Sequence, residues 1–210
     1  MIQRARNTGP VRRPAARAQS FAPIFAADAR ILILGSMPGA ASLAAGQYYA
    51  HPQNQFWRMM DEICGAGPRL PYPARLERLR AAGIALWDVL ESCVRPGSLD
   101  SAIEHHSAIA NDIPRLLRDA PRIRRVCCNG ATAHHAVRRY FGNEFDALGI
   151  TVLQLPSTSP ANATWSYARK LAAWRAAVEE AAMKDAAVEN ATRDVQGETV
   201  ASRAPSASGA

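Results

Sequence analysis

The sequence predicts an α/β fold in which a short, four-stranded parallel sheet is covered by helices on both faces. Three observations carry that expectation. Four brief apolar runs, Ile31–Leu34, Ile84–Leu90, Val126–Cys128 and Ile150–Leu155, are each flanked by turn or helix signals, the pattern of strands buried on both faces. Segments with helical spacing separate the runs, and strands that alternate with helices pair in parallel. A chain of 210 residues, 48% apolar and 20% charged, suits one globular domain with tails.

Taken in order, residues 1–27 mix Arg, Pro, Ala and Gly without periodicity and read as a disordered basic arm. The folded domain is expected over residues 28–183. After the first strand, Gln55–Cys64 carries Phe56, Met59, Met60 and Ile63 at helical spacing. Ala74–Ala82 follows a Pro-Tyr-Pro turn and sets Leu76 and Leu79 against Arg75, Arg78 and Arg80. Asn111–Ala120 holds Ile113, Leu116 and Leu117; Thr132–Phe141 follows Asn129-Gly130; and Trp165–Met183 makes a long last helix. Residues 184–210 are rich in Ala, Ser, Glu and Arg and read as a second disordered tail.

Formal net charge is +7, and a basic balance favours a polyanionic partner. Five arginines and no acid precede residue 21, so much of the excess belongs to the arm. The lysines are Lys170 and Lys184, which leaves little room for Schiff-base chemistry. Cys64, Cys93, Cys127 and Cys128 contain no CxxC pair; this argues for reduced, buried thiols and against a disulfide framework or zinc ribbon. No apolar run is long enough to cross a membrane. The histidine pairs His105-His106 and His134-His135 have no ligand spacing, so no metal and no cofactor is expected.

Chemistry concentrates in two loops, each following a strand run. The first is Gly35-Ser36-Met37-Pro38-Gly39, continuing through Tyr48-Tyr49-Ala50-His51-Pro52-Gln53-Asn54-Gln55-Phe56-Trp57. Its glycines allow a ligand to approach the backbone, and its aromatics offer faces for a base. It lacks the Gly-Lys-Ser/Thr ending of a phosphate-binding loop and the GxSxG of a nucleophile elbow. The second is Leu155-Pro156-Ser157-Thr158-Ser159-Pro160-Ala161-Asn162, whose hydroxyls and backbone N–H groups suit phosphates. It also reads as a turn that caps the last helix.

Together, GSMPG…YYAHPQNQFW and LPSTSPAN resemble the paired motifs of the uracil-DNA glycosylase superfamily, and are similar to its hypoxanthine (deoxyinosine) branch. The likeness spans about residues 30–177. It implies a three-layer αβα fold and a monofunctional DNA N-glycosylase of base excision repair, monomeric, metal-free and sited at the nucleoid in a prokaryotic cytoplasm. The substrate implied is DNA holding a deaminated base, hypoxanthine first and uracil second, flipped out for hydrolysis.

The resemblance assigns roles by position. Other branches carry a water-activating Asp or Asn where this chain has Met37, so Asn54, with His51 next, is expected to orient the water. Gly35, Ser36, Met37, Phe56 and Asp88 would form the base pocket, and Ser157, Thr158, Ser159 and Asn162 would hold the DNA backbone. Asp88 also reads as a helix cap or ion-pair partner, and Asn129-Gly130 as a plain turn. Arg75–Arg80 and Arg122, Arg124 and Arg125 are candidates for phosphates or a solvated face. Two other readings stay open: a uracil or thymine mismatch glycosylase, and an inactive module of the same fold that binds damaged DNA.

Overall fold

The computed structural model of the chain describes residues 17–180. In chain order its elements are β1 (Arg17–Gln19), β2 (Ile31–Gly35), α1 (Ala40–Ala45), α2 (Phe56–Cys64), α3 (Tyr72–Ala81), β3 (Ile84–Asp88), β4 (Leu90–Val94), β5 (Ile109–Ala110), α4 (Ile113–Asp119), β6 (Arg125–Asn129), α5 (Ala131–Phe141), α6 (Glu144–Ala147) and β7 (Thr151–Leu155). A last helix, α7, covers residues 167–180.

β3, β2, β6 and β7 form a parallel sheet in that spatial order. Every residue of β2 and β3 is buried, which explains apolar runs without alternation. Right-handed crossovers put α1 to α3 on one face and α4 and α5 on the other. α7 returns to the first face, where Trp174 meets the Phe56 ring edge-on at 6.2 Å.

Local signals set the helix limits. α2 turns Phe56, Met59 and Met60 inward and stops at Gly65, whose φ of 70° only glycine adopts freely. The Asp112 carboxylate starts α4 by accepting Arg115 N–H at 3.0 Å.

Two sequence expectations change. The run Ile84–Leu90 is not one strand. After Asp88 the chain turns, with Val89 N–H on Gly35 O (2.8 Å) and Leu90 N–H on Ser36 O (3.1 Å), and continues as β4 of a small antiparallel sheet, β1-β4-β5. Val89 stays fully buried through the turn, so hydrophobicity carries no mark of it. Nor is the arm unstructured as far as residue 27. Arg17–Gln19 pairs with β4, and Ile24 exchanges two backbone hydrogen bonds with Leu86, covering the β3 edge. Ala22 O accepts the Tyr48 hydroxyl, and Phe21 O accepts the Trp87 indole N–H. The remainder of the expected arm, the expected continuation of the last helix to Met183 and the 184–210 tail lie outside the described residues.

Register sets Gly35 beside Asp88 and Asn129 beside Leu155. The four strand tips therefore share one edge. Chain order reverses between β2 and β6, where α/β sheets hold ligands. The loops at this edge are bolted together by Thr158, which is fully buried. Its N–H donates to Asn129 Oδ1 and its Oγ1 accepts from Asn129 Nδ2, both at 2.9 Å. Its carbonyl accepts Gln55 N–H at 3.0 Å. Thr158→Val keeps the shape but strands a buried amide donor. We expect it to lower unfolding free energy by about 1–3 kcal/mol, read from urea melts with an unchanged m-value.

Candidate active site

The two motif loops face each other across a cleft of about 770 Å³, within the range that encloses small ligands. Gly35 forms part of the floor. Any side chain there would overlap the Asp88 carboxylate, so this close approach requires glycine. The Ser36 hydroxyl donates to Asp100 Oδ1 at 2.8 Å. Arg95, buried at the end of β4, donates to Met37 O and Pro38 O and lies 4.0 Å from Asp100. The first loop is thus gripped from behind by one guanidinium, and its front lines the cleft.

Farther along, Tyr49 lies at φ 54°, the one non-glycine residue at positive φ among those described. Such strain marks a position that its surroundings force. Its ring stacks on Phe56 at 4.0 Å. Phe56, expected in the base pocket, is fully buried behind it and does not line the cleft. Tyr49 brings the aromatic surface to the cleft wall instead. Tyr48 and Trp57 are core: the Trp57 indole N–H donates to Tyr48 O at 2.9 Å.

Asn54 lines the cleft and its Oδ1 accepts Phe56 N–H at 3.0 Å, which fixes the amide plane at the start of α2. A carbonyl oxygen has two lone pairs, so one acceptor position remains for a water. His51 is exposed on the rim, and its Nδ1 accepts Gln53 N–H at 3.2 Å, which makes Nε2 the protonated nitrogen of the neutral ring.

Asp88 is the most perturbed acid near the cleft. Burial, then the neighbouring Asp100 carboxylate, push its pKa up to about 8, against the pull of Arg95. Its Oδ2 is buried and makes no hydrogen bond. Asp100 is also raised by burial, with Ser36, Arg95 and Thr132 opposing. The Tyr49 hydroxyl is buried too; burial, then the Asp88 carboxylate, push its pKa up, against the pull of the Asn129 amide.

The second loop divides its hydroxyls. Thr158 turns inward, so it is a structural bolt rather than the DNA contact expected of it. Ser157, Ser159 and Asn162 line the cleft. Ser157 Oγ accepts Ser159 N–H at 3.2 Å, Ser159 Oγ accepts Ala161 N–H at 3.3 Å, and Asn162 Nδ2 donates to Ser157 O at 3.2 Å. From α7, Lys170 Nζ donates to Asn162 O at 2.7 Å and the Trp174 indole to Pro156 O at 2.9 Å. Gly130 to Thr132 open α5 on the cleft wall, presenting a helix N-terminus to the same space.

None of the arginines proposed for phosphates lines the cleft. Arg125 is buried on Ala177 O (2.6 Å) and Glu180 (3.1 Å) at the start of β6, roughly 13 Å of extended chain from the Asn129 tip. Arg124 precedes it and donates to Pro121 O, and Arg75 to Leu70 O and Pro68 O. Arg122 lies in the turn that leads into β6. Sequence reasoning missed Tyr49 as the ring at the wall, and missed Arg95, Asp100 and Thr132. Asn129 carried a signal, an Asn-Gly at a strand tip, that was equally a plain turn. A second hollow, of about 530 Å³ beside Phe21 and Arg115, touches neither motif loop.

Comparison with known proteins agrees with this geometry. The model of the uracil DNA glycosylase superfamily matches residues 22–181. A hypoxanthine DNA glycosylase of Methanosarcina acetivorans is 33% identical over 157 residues, covering 72% of this chain and 92% of that protein. One from Methanosarcina barkeri is 39% identical over 113 residues, 53% and 70% of the two chains. A solution NMR structure of a candidate uracil DNA glycosylase from Methanosarcina acetivorans superposes with a TM-score of 0.66 at 31% identity, covering 79% of this chain and 99% of that one. The chain belongs to the uracil DNA glycosylase superfamily.

Proposed function

We propose that the protein is a monofunctional DNA glycosylase that takes a deaminated base, hypoxanthine foremost, into the cleft and hydrolyses its N-glycosidic bond. The observation that carries this reading is the buried, unpartnered Asp88 Oδ2 at the floor of a cleft built from both motif loops. A buried oxygen of this kind calls for a partner, and a base edge supplies one. The two relatives named for hypoxanthine release support the choice of base.

The chemistry follows from the protonation of Asp88. Below about pH 8 the acid is neutral and offers one O–H donor and one carbonyl acceptor. Hypoxanthine presents N1–H and O6, the matching pair. As the C1′–N9 bond lengthens, negative charge gathers on the departing base, and the Asp88 O–H at O6 stabilises it. The sugar becomes oxocarbenium-like, and a water held on the free lone pair of Asn54 adds to C1′, its extra proton passing to solvent while the departing base anion takes one up from solvent. In this reading His51 Nε2–H and the N-terminus of α5 hold phosphate flanking the flipped nucleotide. Ser157, Ser159 and Asn162 grip the backbone on the other side. A monomer without metal, in the cytoplasm with the chromosome, completes the reading. Uracil and thymine share the donor–acceptor edge, so they remain the second reading.

Purified protein should release free hypoxanthine from inosine-containing oligonucleotides in EDTA, with uracil and thymine mismatches run beside it. Absence of any base release, with tight binding to inosine or abasic sites, would identify the inactive module instead. Asn54→Ala should slow single-turnover release by about a hundredfold while leaving DNA affinity near wild type.

Excision should fall as pH rises past about 8, because the ionised acid has lost its donor and repels the departing anion. Asp88→Asn keeps one donor and one acceptor, so it should retain activity and flatten that alkaline limb. Asp88→Ala should lose on the order of a hundredfold at all pH values. An unchanged limb in Asp88→Asn would refute the assignment.

Lys170 is buried behind the second loop, where burial lowers its pKa and Asn162 O holds its Nζ. Borohydride should therefore trap no covalent protein–DNA adduct. A trapped adduct lost in Lys170→Met would overturn the monofunctional reading.

A further inference from the structure

We propose that Leu99 is the intercalating residue, entering the base stack where the flipped nucleotide leaves it. The proposal rests on the glycosylase reading above. Leu99 lines the cleft and is 62% exposed. The other exposed large apolar side chains among the described residues, Ile109 and Leu148, line neither the cleft nor its rim. A leucine on a polar rim is poorly served by water, and an opened base step offers it the apolar slot it lacks.

Its placement is fixed from both sides. Ser98 Oγ accepts Ala40 N–H at 3.0 Å, and Asp100 Oδ1 accepts the Ser36 hydroxyl at 2.8 Å. Ala102 N–H closes the turn on Leu99 O at 3.0 Å. The side chain is thus the outward tip of a turn riveted to the first loop. An intercalating side chain must be held rigidly, since ordering it on contact would consume the gain.

The opposite rim has no substitute of this size. Ser157 to Asn162 offer hydroxyls, an amide, an alanine and Pro160. Trp165 lines the cleft too, but the Arg169 guanidinium covers its ring at 3.9 Å. The turn also links opening to recognition, because Asp100, next to Leu99, is the carboxylate that faces Asp88.

The test compares Leu99→Ala with wild type and with Ile109→Ala, an exposed apolar control. Each is assayed under single-turnover conditions on inosine in a duplex and on the same inosine in a single strand, which needs no flipping. Leu99→Ala should be slower on the duplex by about tenfold or more and within twofold on the single strand. Leu99→Met should recover most of the duplex rate. A 2-aminopurine beside the inosine should brighten when wild type binds the duplex and stay dim with Leu99→Ala. Equal losses on both substrates would mean that Leu99 only shapes the cleft, and no loss on either would mean it is a bystander; each overturns the proposal. So would the duplex-specific loss appearing in Trp165→Ala and not in Leu99→Ala. Wild type inactive on both inosine substrates would instead sink the glycosylase reading beneath it.

Discussion

The cleft depends on the pairing of Asn129 with Thr158. Their two hydrogen bonds are buried and reciprocal, so each residue both donates to and accepts from the other. Through the Thr158 carbonyl the pair extends to Gln55, at the start of α2. One threonine therefore joins the tip of β6, the second motif loop and the helix that begins just after Asn54. Behind it, Lys170 and Trp174 hold the carbonyls of Asn162 and Pro156. α7 acts as a back wall that stops the second loop from sliding along the sheet edge. The bolt joins the elements that carry Asn54, Ser157 and Ser159 on the cleft wall.

Much of this was legible in the chain. The four apolar runs became the four parallel strands, and the two odd loops came together at their tips, because parallel strands put every β-to-α loop on one edge. What failed did so for identifiable reasons. Phe56 and Tyr49 are equally aromatic, and only the left-handed turn at Tyr49 decides which ring reaches the wall. Ser157, Thr158 and Ser159 look alike as hydroxyls, yet alternate directions send the middle one into the core. Arg125 reads as a surface cation, but its strand lies between two layers and Glu180 with Ala177 O receives it. Asp100, Arg95 and Leu99 were illegible because they meet the first loop from more than fifty residues away, across the small sheet that begins where β3 ends at Asp88. Phe21, Ile24 and Phe25 were the apolar signal in the arm, outweighed by the surrounding Pro, Ala and Arg.

Asp88 is costly to the fold in its ionised form, and that cost is informative. Desolvation is the largest influence on it and the Asp100 carboxylate adds to it, while Arg95 is turned mainly to the loop carbonyls. An ionised carboxylate only accepts, and would suit an edge with two adjacent donors. Guanine has such an edge, N1–H beside the 2-amino group. A neutral acid instead pairs with N1–H and O6, an edge that guanine shares with hypoxanthine. On the proposed reading, the burial that raises the Asp88 pKa suits the N1–H and O6 edge, and separating hypoxanthine from guanine falls to the space around the 2-amino group.

The same acid does not by itself reject adenine, because a carboxylic acid can exchange its donor and acceptor oxygens and pair with N1 and the 6-amino group. That discrimination has to come before the base reaches Asp88. An adenine paired with thymine resists leaving the stack, whereas a base in a mispair leaves at lower cost. A small protein with one rigid apolar tip on its rim adds a fixed push to every base it meets, so the weakly paired ones respond most. Edge reading then needs only to separate candidates that have already opened. On the proposed reading, this division lets a cleft with one acid and one orienting amide be selective without a dense network of base contacts.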